Sequence, residues 1–198
     1  WPFTPDDWPR ANETFFITRE NDEREEHAMW RETTQHERNK KIFDEELDGF
    51  LPQKILDFHV HVMGQGVIPE GQNDSCAGHS IAKYDMEDLQ QDLAEVYPDR
   101  ETFAVCFGFP NEMYNQQVND TYVAEHCDRK RFFPLRLFDP VNDKPDATRR
   151  EIEDMGFMGL KPYLNYVRKE DPNDVEIPEM LPDWIMEMVV RKGTGVYR

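Results

Sequence analysis

The segment 55–62, which reads Ile-Leu-Asp-Phe-His-Val-His-Val, constrains the fold of this chain more than any other. Side chains alternate between the two faces of a strand, so Asp57, His59 and His61 are predicted to share one face. The other face is predicted to be apolar and to pack under a layer of helices through Leu56, Phe58, Val60 and Val62. Three polar groups in a row on an interior face are costly unless each group has a partner.

A divalent metal would satisfy this polar row. Two imidazoles one residue apart suit zinc, with manganese, iron or nickel as alternatives, and the carboxylate of Asp57 could orient a ligand from behind. The alternative is a hydrogen-bonded polar cluster that contains no metal.

The rest of the chain repeats the order strand, loop, helix four times. Strands are predicted over 54–62, 102–109, 132–138 and 157–163, and helices from Asp85 to about 97 and over 112–127, 146–155 and 178–192. The helix over 112–127 is expected to face inward through Val118, Tyr122 and Val123. Such a repeat is typical of parallel βα units in an α/β fold, either a (β/α)8 barrel or an open doubly wound sheet. The two histidines end their strand, where barrel chemistry is located, so we favour the barrel.

Residues 1–50 form a polar N-terminal extension in this interpretation, helical or irregular, with one or two surface helices between 21 and 47. A long polar loop is predicted over 64–83. It carries Cys76 and His79, whose spacing resembles a ligand pair, although polar loops often contain such pairs by chance.

Three motifs, in this order, carry a resemblance to a known family. They are the first-strand Asp57, His59 and His61 after Phe50-Leu51-Pro52, the stretch from Phe132-Phe133-Pro134-Leu135 to Asp139-Pro140, and Gly159-Leu160-Lys161 on the fourth strand. With these motifs the chain, from about residue 51 to 190, resembles the amidohydrolase superfamily and, within it, the amidohydrolase-related group of metal-dependent TIM barrels.

The resemblance implies a role for each matched residue. His59 and His61 would be the first-strand metal ligands. Lys161 would be catalytic together with Asp57, either as a carboxylated lysine that bridges two metals or unmodified, unless it is an ordinary lysine at a strand end. Tyr163 shares a face with Lys161 and could contact substrate, and His79 could approach the site from its loop. Arg136 could bind a substrate carboxylate or form an ion pair facing a helix.

The function implied is metal-dependent hydrolysis, with a metal-activated water attacking a carbonyl or related carbon of a small molecule. A metal-dependent decarboxylase on the same barrel is an alternative, and so is a non-catalytic half-barrel that binds a partner. A flavodoxin-like sheet would need a phosphate-binding turn, but Gly64-Gln65-Gly66 does not open directly into a helix.

Length limits how much of a barrel is represented. A complete barrel needs ~250 residues, and this chain has 198. In the related family the remaining ligands lie on later strands. We therefore expect residues 51–198 to form the N-terminal half, strands one to four, completed by a C-terminal half or by a second copy in a homo-oligomer.

Charge and cysteine content exclude some partners. The formal net charge is -18, which disfavours nucleic acid and anionic membrane surfaces. The three cysteines form no disulfide framework, which is typical of a reducing compartment, so we expect a cytoplasmic protein.

Overall fold

A parallel β-sheet with helices packed on one face forms the body of the chain. The structure, a computed structural model, describes residues 34–76, 79–192 and 195–196. The strands are β1 (Lys54–His61), β2 (Asp74–Cys76), β3 (His79–Ile81), β4 (Glu101–Phe107), β5 (Phe132–Phe138), β6 (Gly159–Pro162) and β7 (Gly195–Val196). The helices are α1 (Thr34–Ile42), α2 (Met86–Val96), α3 (Gln116–His126), α4 (Pro145–Met155), α5 (Ile177–Met180) and α6 (Asp183–Lys192).

The main sheet has the order β1-β4-β5-β6-β7, and every neighbouring pair is parallel. Its four longer strands curl as half of a barrel does. This confirms the α/β class expected from the sequence and is compatible with part of a barrel.

Two elements differ from the sequence prediction. The expected loop over 64–83 contains an antiparallel hairpin of β2 and β3, in which Cys76 is paired with His79. The expected last helix is divided into α5 and α6, because Pro182 lies between them and a proline cannot continue the hydrogen-bond ladder. Residues 1–33 of the expected N-terminal extension lie outside the described residues. Helix α1 lies in the charged part of that extension.

Local sequence signals fix where two of the helices begin and end. Asp85 caps α2, because its carboxylate accepts hydrogen bonds from the backbone N–H groups of Glu87 and Asp88. The Asp88 carboxylate in turn accepts a hydrogen bond from the backbone N–H of Asp85. Helix α4 ends at Met155, and Gly156 follows it with a φ of 70°. This is a left-handed conformation that glycine adopts without strain.

The largest apolar cluster lies between the sheet and the helices. It contains Val60, Ala104 and Cys106 from the strands, and each helix from α2 to α4 and α6 contributes to it. The helical members that are fully or almost fully buried include Leu89, Leu93, Val123, Ala124, Ile152 and Ile185. We call this side of the sheet the helix-covered face.

The opposite side of the sheet carries Val105, Phe107, Leu135 and Leu137, which form a second apolar cluster. We call it the inner face. Phe133 and Tyr163 pack against this cluster, and no helix residue belongs to it among those the structure describes.

A β-bulge in β1 changes which of its side chains face inward. Asp57 is paired with Ala104 and Val60 with Cys106, so three steps along β1 match two steps along β4. Parallel partners point to the same side, which places Asp57 and Val60 together on the helix-covered face. His61, paired with Phe107, lies on the inner face.

The prediction that Asp57 shares a face with His61 is therefore wrong, because strict alternation does not survive the extra residue. The predicted packing of Leu56 and Phe58 under helices is also wrong. Leu56 is 50% exposed and Phe58 is 46% exposed, whereas Val60 and Val62 are buried as expected.

The buried face of α3 also differs from the expected one. Val118 is exposed, and the polar side chains of Asn119 and Asp120 are buried instead, beside Val123. Among the helices that the structure describes, none is long and apolar enough to cross a membrane.

Candidate functional site

Two imidazoles and a tyrosine hydroxyl converge at the carboxyl end of the sheet. The Oη atom of Tyr163 lies 3.1 Å from Nε2 of His59 and 3.2 Å from Nε2 of His61. The histidines belong to β1, and Tyr163 follows β6 directly. The fold thus joins residues about a hundred positions apart in the chain.

A backbone carbonyl fixes the tautomer of His61. Its Nδ1 lies 2.9 Å from the carbonyl oxygen of Gly108, and a carbonyl can only accept, so Nδ1 carries the proton. Nε2 of the neutral ring is then an acceptor. The Tyr163 hydroxyl donates to it, and the oxygen of that hydroxyl can accept from Nε2–H of His59.

Aromatic rings contact both imidazoles. The ring centre of Phe107 lies 5.0 Å from that of His59 and 4.9 Å from that of His61, both edge to face. Phe109 lies 4.9 Å from His61 on another side. These contacts limit the rotation of the imidazoles and keep part of their surface away from water.

The surroundings lower the pKa of both imidazoles, which favours their neutral forms. Burial is the largest cause that lowers the pKa of His59, followed by the charge of Lys161, while Asp57 opposes the shift. Burial also lowers the pKa of His61, although the bond to Gly108 opposes it. A neutral imidazole has the free lone pair that a metal requires.

Lys161 lies on the inner face beside this group. Its Nζ is 5.3 Å from the ring centre of Phe107 and 5.1 Å from that of Tyr163. Burial lowers the pKa of Lys161. The structure thus brings together four of the residues selected from the sequence, His59, His61, Lys161 and Tyr163.

Asp57 is near this group but has another role. Its Oδ1 accepts from the backbone N–H of His59 at 3.0 Å, inside the bulge. Asp57 lies on the helix-covered face. The bond to its carboxylate stabilises the backbone at His59. This differs from the catalytic role on the inner face that we expected of Asp57.

Arg136, another of the predicted residues, does not join the group. Arg136 lies between the sheet and its helices, where it forms ion pairs with Asp143 at 2.7 Å and Glu151 at 2.7 Å. Of the two alternatives for Arg136, the structure thus contains the helix-facing ion pair. The side chains of Cys76 and His79 lie outside the part of the structure that is described.

A buried amide supports the site and was not predicted from the sequence. Asn119 on α3 is 1% exposed, and its amide bridges the carbonyl of Val62 and the N–H of Phe109 at 3.0 and 3.1 Å. It also packs against Gly108, where any Cβ would collide with it. Asn119 therefore holds the ends of β1 and β4 together, next to the carbonyl that His61 binds. Asn119 lies four residues before Val123 and therefore on the same face of the helix. This spacing could have identified Asn119 as a buried position.

The loops that follow the strands are joined around Tyr163. Asn165 donates from Nδ2 to the carbonyl of Pro110 at 2.5 Å, and Arg168 donates to Glu112 at 2.8 Å. Both residues lie in or beside the short 3-10 helix Leu164–Val167, which begins directly after Tyr163. These two bonds anchor the backbone that follows Tyr163.

Within the described residues, no group of three or more histidine, cysteine, aspartate or glutamate side chains could hold a metal ion. Comparison with protein families, with curated proteins and with solved structures finds no match for this chain.

Proposed function

We propose that this chain acts in metal-dependent hydrolysis of the amidohydrolase-related type, with His59 and His61 as ligands of a divalent metal, zinc in the first place. One observation carries the proposal: Nε2 of both imidazoles converges on one point, at 3.1 and 3.2 Å from the Tyr163 hydroxyl. The bond from His61 to Gly108 supports it, because that bond leaves the lone pair on Nε2.

The residues present fit such a metal. Two neutral imidazoles are common zinc ligands, and here both belong to the strand β1 rather than to a loop. A metal bound here would supply an activated water and polarise a carbonyl group. His59 and His61 would hold it, while Phe107 and Phe109 exclude water from the side of the sheet.

Lys161 supports a substrate with a negatively charged or carbonyl oxygen. Its ammonium group lies on the inner face, next to the imidazoles, in a chain whose formal net charge is -18. In our proposal this cation binds and orients the oxygen of a small molecule. A carboxylated Lys161 would instead be a further ligand, and intact mass measurement separates the two forms.

The test is the zinc content of the full chain after saturation and removal of free metal. We expect about one zinc in the native protein and a large loss in His59→Ala and in His61→Ala. His126→Ala is the matched control, because His126 is exposed and bonds only the Tyr122 carbonyl of its own helix. Equal zinc content in all four proteins would contradict the proposal, as would zinc-independent hydrolysis of amides, esters and lactones by the native chain.

A second candidate function is that of a metal-binding half-barrel that requires a partner. This function is favoured by β1, which lies at the edge of the described sheet and exposes the apolar side chain of Leu56. An exposed apolar group on an edge strand favours association with another polypeptide.

A further inference from the structure

The Tyr163 oxygen lies as far from the two imidazole nitrogens as one ligand of a metal lies from the others. Ligands 2.0–2.1 Å from a tetrahedral zinc lie roughly 3.3 Å from one another. The Tyr163 oxygen lies 3.1 Å from Nε2 of His59 and 3.2 Å from Nε2 of His61. A small movement of each side chain would therefore leave room for a metal between these three atoms.

We propose that Tyr163 is the third protein ligand of the metal, bound through its phenolate oxygen. This inference rests on the proposed function, because it requires His59 and His61 to bind the same ion. It changes the role of Tyr163 from the substrate contact expected from the sequence to part of the metal centre itself.

The fold positions Tyr163 for this role. Tyr163 follows β6 and precedes a 3-10 helix, and the loop is fixed by the bonds of Asn165 to Pro110 and of Arg168 to Glu112. A ligand held in this way loses little freedom when it binds.

The binding step is a proton exchange without oxidation or reduction. As the metal–oxygen bond forms, the O–H bond of Tyr163 breaks, and its proton passes to the buffer. The proton on Nε2 of His59 moves to Nδ1, so the ring stays neutral and Nε2 presents its lone pair to the metal. Two neutral imidazoles and one phenolate leave a divalent ion with a net charge of about +1. Three protein ligands leave a fourth position open to water, which is the usual form of a catalytic zinc site.

The competing explanation is that Tyr163 only occupies the metal position. In that case a metal would displace the hydroxyl, and loss of the hydroxyl would make binding tighter. The two explanations predict opposite effects of Tyr163→Phe on zinc affinity, so one titration separates them.

The experiment is a titration of the full chain with zinc, followed by near-ultraviolet difference absorption and by proton release. We expect the difference band of an ionised tyrosine to grow and to saturate at one zinc per chain, with one proton released for the tyrosine. Tyr163→Phe should lose this band and bind zinc at least about tenfold more weakly. Tyr97→Phe is the matched control, because Tyr97 lies beside the start of β4, at the other end of the sheet.

Two results would overturn the inference. One is native protein that binds zinc without a tyrosinate band, and the other is Tyr163→Phe that binds zinc as tightly as the native protein or more tightly. In either case loss of zinc from His59→Ala would still support the proposed function. If the histidine variants also bind zinc normally, the proposed function fails as well. The band is measured on the native chain, so the test holds even if Tyr163→Phe is poorly folded.

Discussion

His61, the last residue of β1, donates from Nδ1 to the carbonyl of Gly108, the first residue after β4, at 2.9 Å. The bond joins the ends of two adjacent strands and orients the imidazole. Since Asn119 packs against Gly108 and bridges the same strand ends, the geometry of the site depends on a helix as well as on the sheet.

Gly108→Ala is expected to destabilise the protein by about 1–3 kcal/mol, because the added methyl group would collide with Asn119 and press on Leu137 at 3.1 Å. Denaturant unfolding measures the loss. Gly49→Ala is the control, since a Cβ there meets no atom within 4 Å, and it should change stability by less than about 0.5 kcal/mol. Equal effects of the two substitutions would contradict the role of Gly108.

Asn119→Leu is expected to cost about 1–3 kcal/mol of stability, because the carbonyl of Val62 and the N–H of Phe109 would lose their buried partner. Zinc affinity should fall as well, since the Gly108 carbonyl loses its support. Gln117→Leu, at an exposed position of the same helix, is the control. Unchanged unfolding of Asn119→Leu would show that the bridge contributes nothing.

Asp120 predicts a dependence of stability on pH. Burial raises its pKa to about 7, against the opposing charge of Arg136, from an ordinary value near 3.8. The folded state therefore holds the proton more tightly than the unfolded state, and this contribution is complete below about pH 4 and is lost as the pH rises through about 7.

Asp120→Asn should lack this contribution. We expect the free energy of unfolding of the native protein, minus that of the variant, to fall as the pH rises from 4 to 7. Denaturant unfolding at several pH values measures it. A difference that stays constant, or shifts the other way, would contradict the raised pKa.

Arg136→Met is expected to destabilise the fold by roughly 3–5 kcal/mol, because it leaves the Asp143 carboxylate without its buried partner. Arg150→Met, on the exposed side of α4, is the control and should cost less than about 0.5 kcal/mol. Thermal and denaturant unfolding compare the two. A small effect at Arg136 would show that the pair is dispensable.

Leu56→Lys tests whether β1 is an interface. We expect the folded chain to keep its stability, because Leu56 is 50% exposed, but to associate less with itself or with a partner. Sedimentation velocity measures the mass of both proteins. Lys54→Ala, at an exposed position of the same strand, is the control, and an unchanged mass for Leu56→Lys would exclude this surface.

Some of this arrangement followed from local patterns. The alternation of apolar strands and amphipathic helices predicted the α/β class, because each pattern depends only on neighbours in the chain. Lys161 and Tyr163 were expected to share a face since they are two positions apart, and both contact the inner face.

Other features depend on distant partners. The bulge at Phe58 and His59 exists only in the register of β1 against β4, so periodicity within β1 could not predict it. Val118 was expected inward because it is apolar, but the phase of α3, which starts at the Asn115 cap, buries Asn119 and Asp120 instead. Polar residues with a specific partner override a hydrophobic pattern at such positions.

The bulge changes which residues of β1 face the helices. Before it, odd-numbered residues point to the helices, and after it the even-numbered ones do, as Asp57 and Val60 illustrate. Deleting one residue there would restore a regular pleat and keep Asp57 and Val60 on the same side, whereas a regular strand of the original length would turn one of them to the opposite side. A protein of the same shape without the bulge would therefore align with this chain only through a one-residue gap, and an ungapped comparison would assign the wrong side chains to its interior.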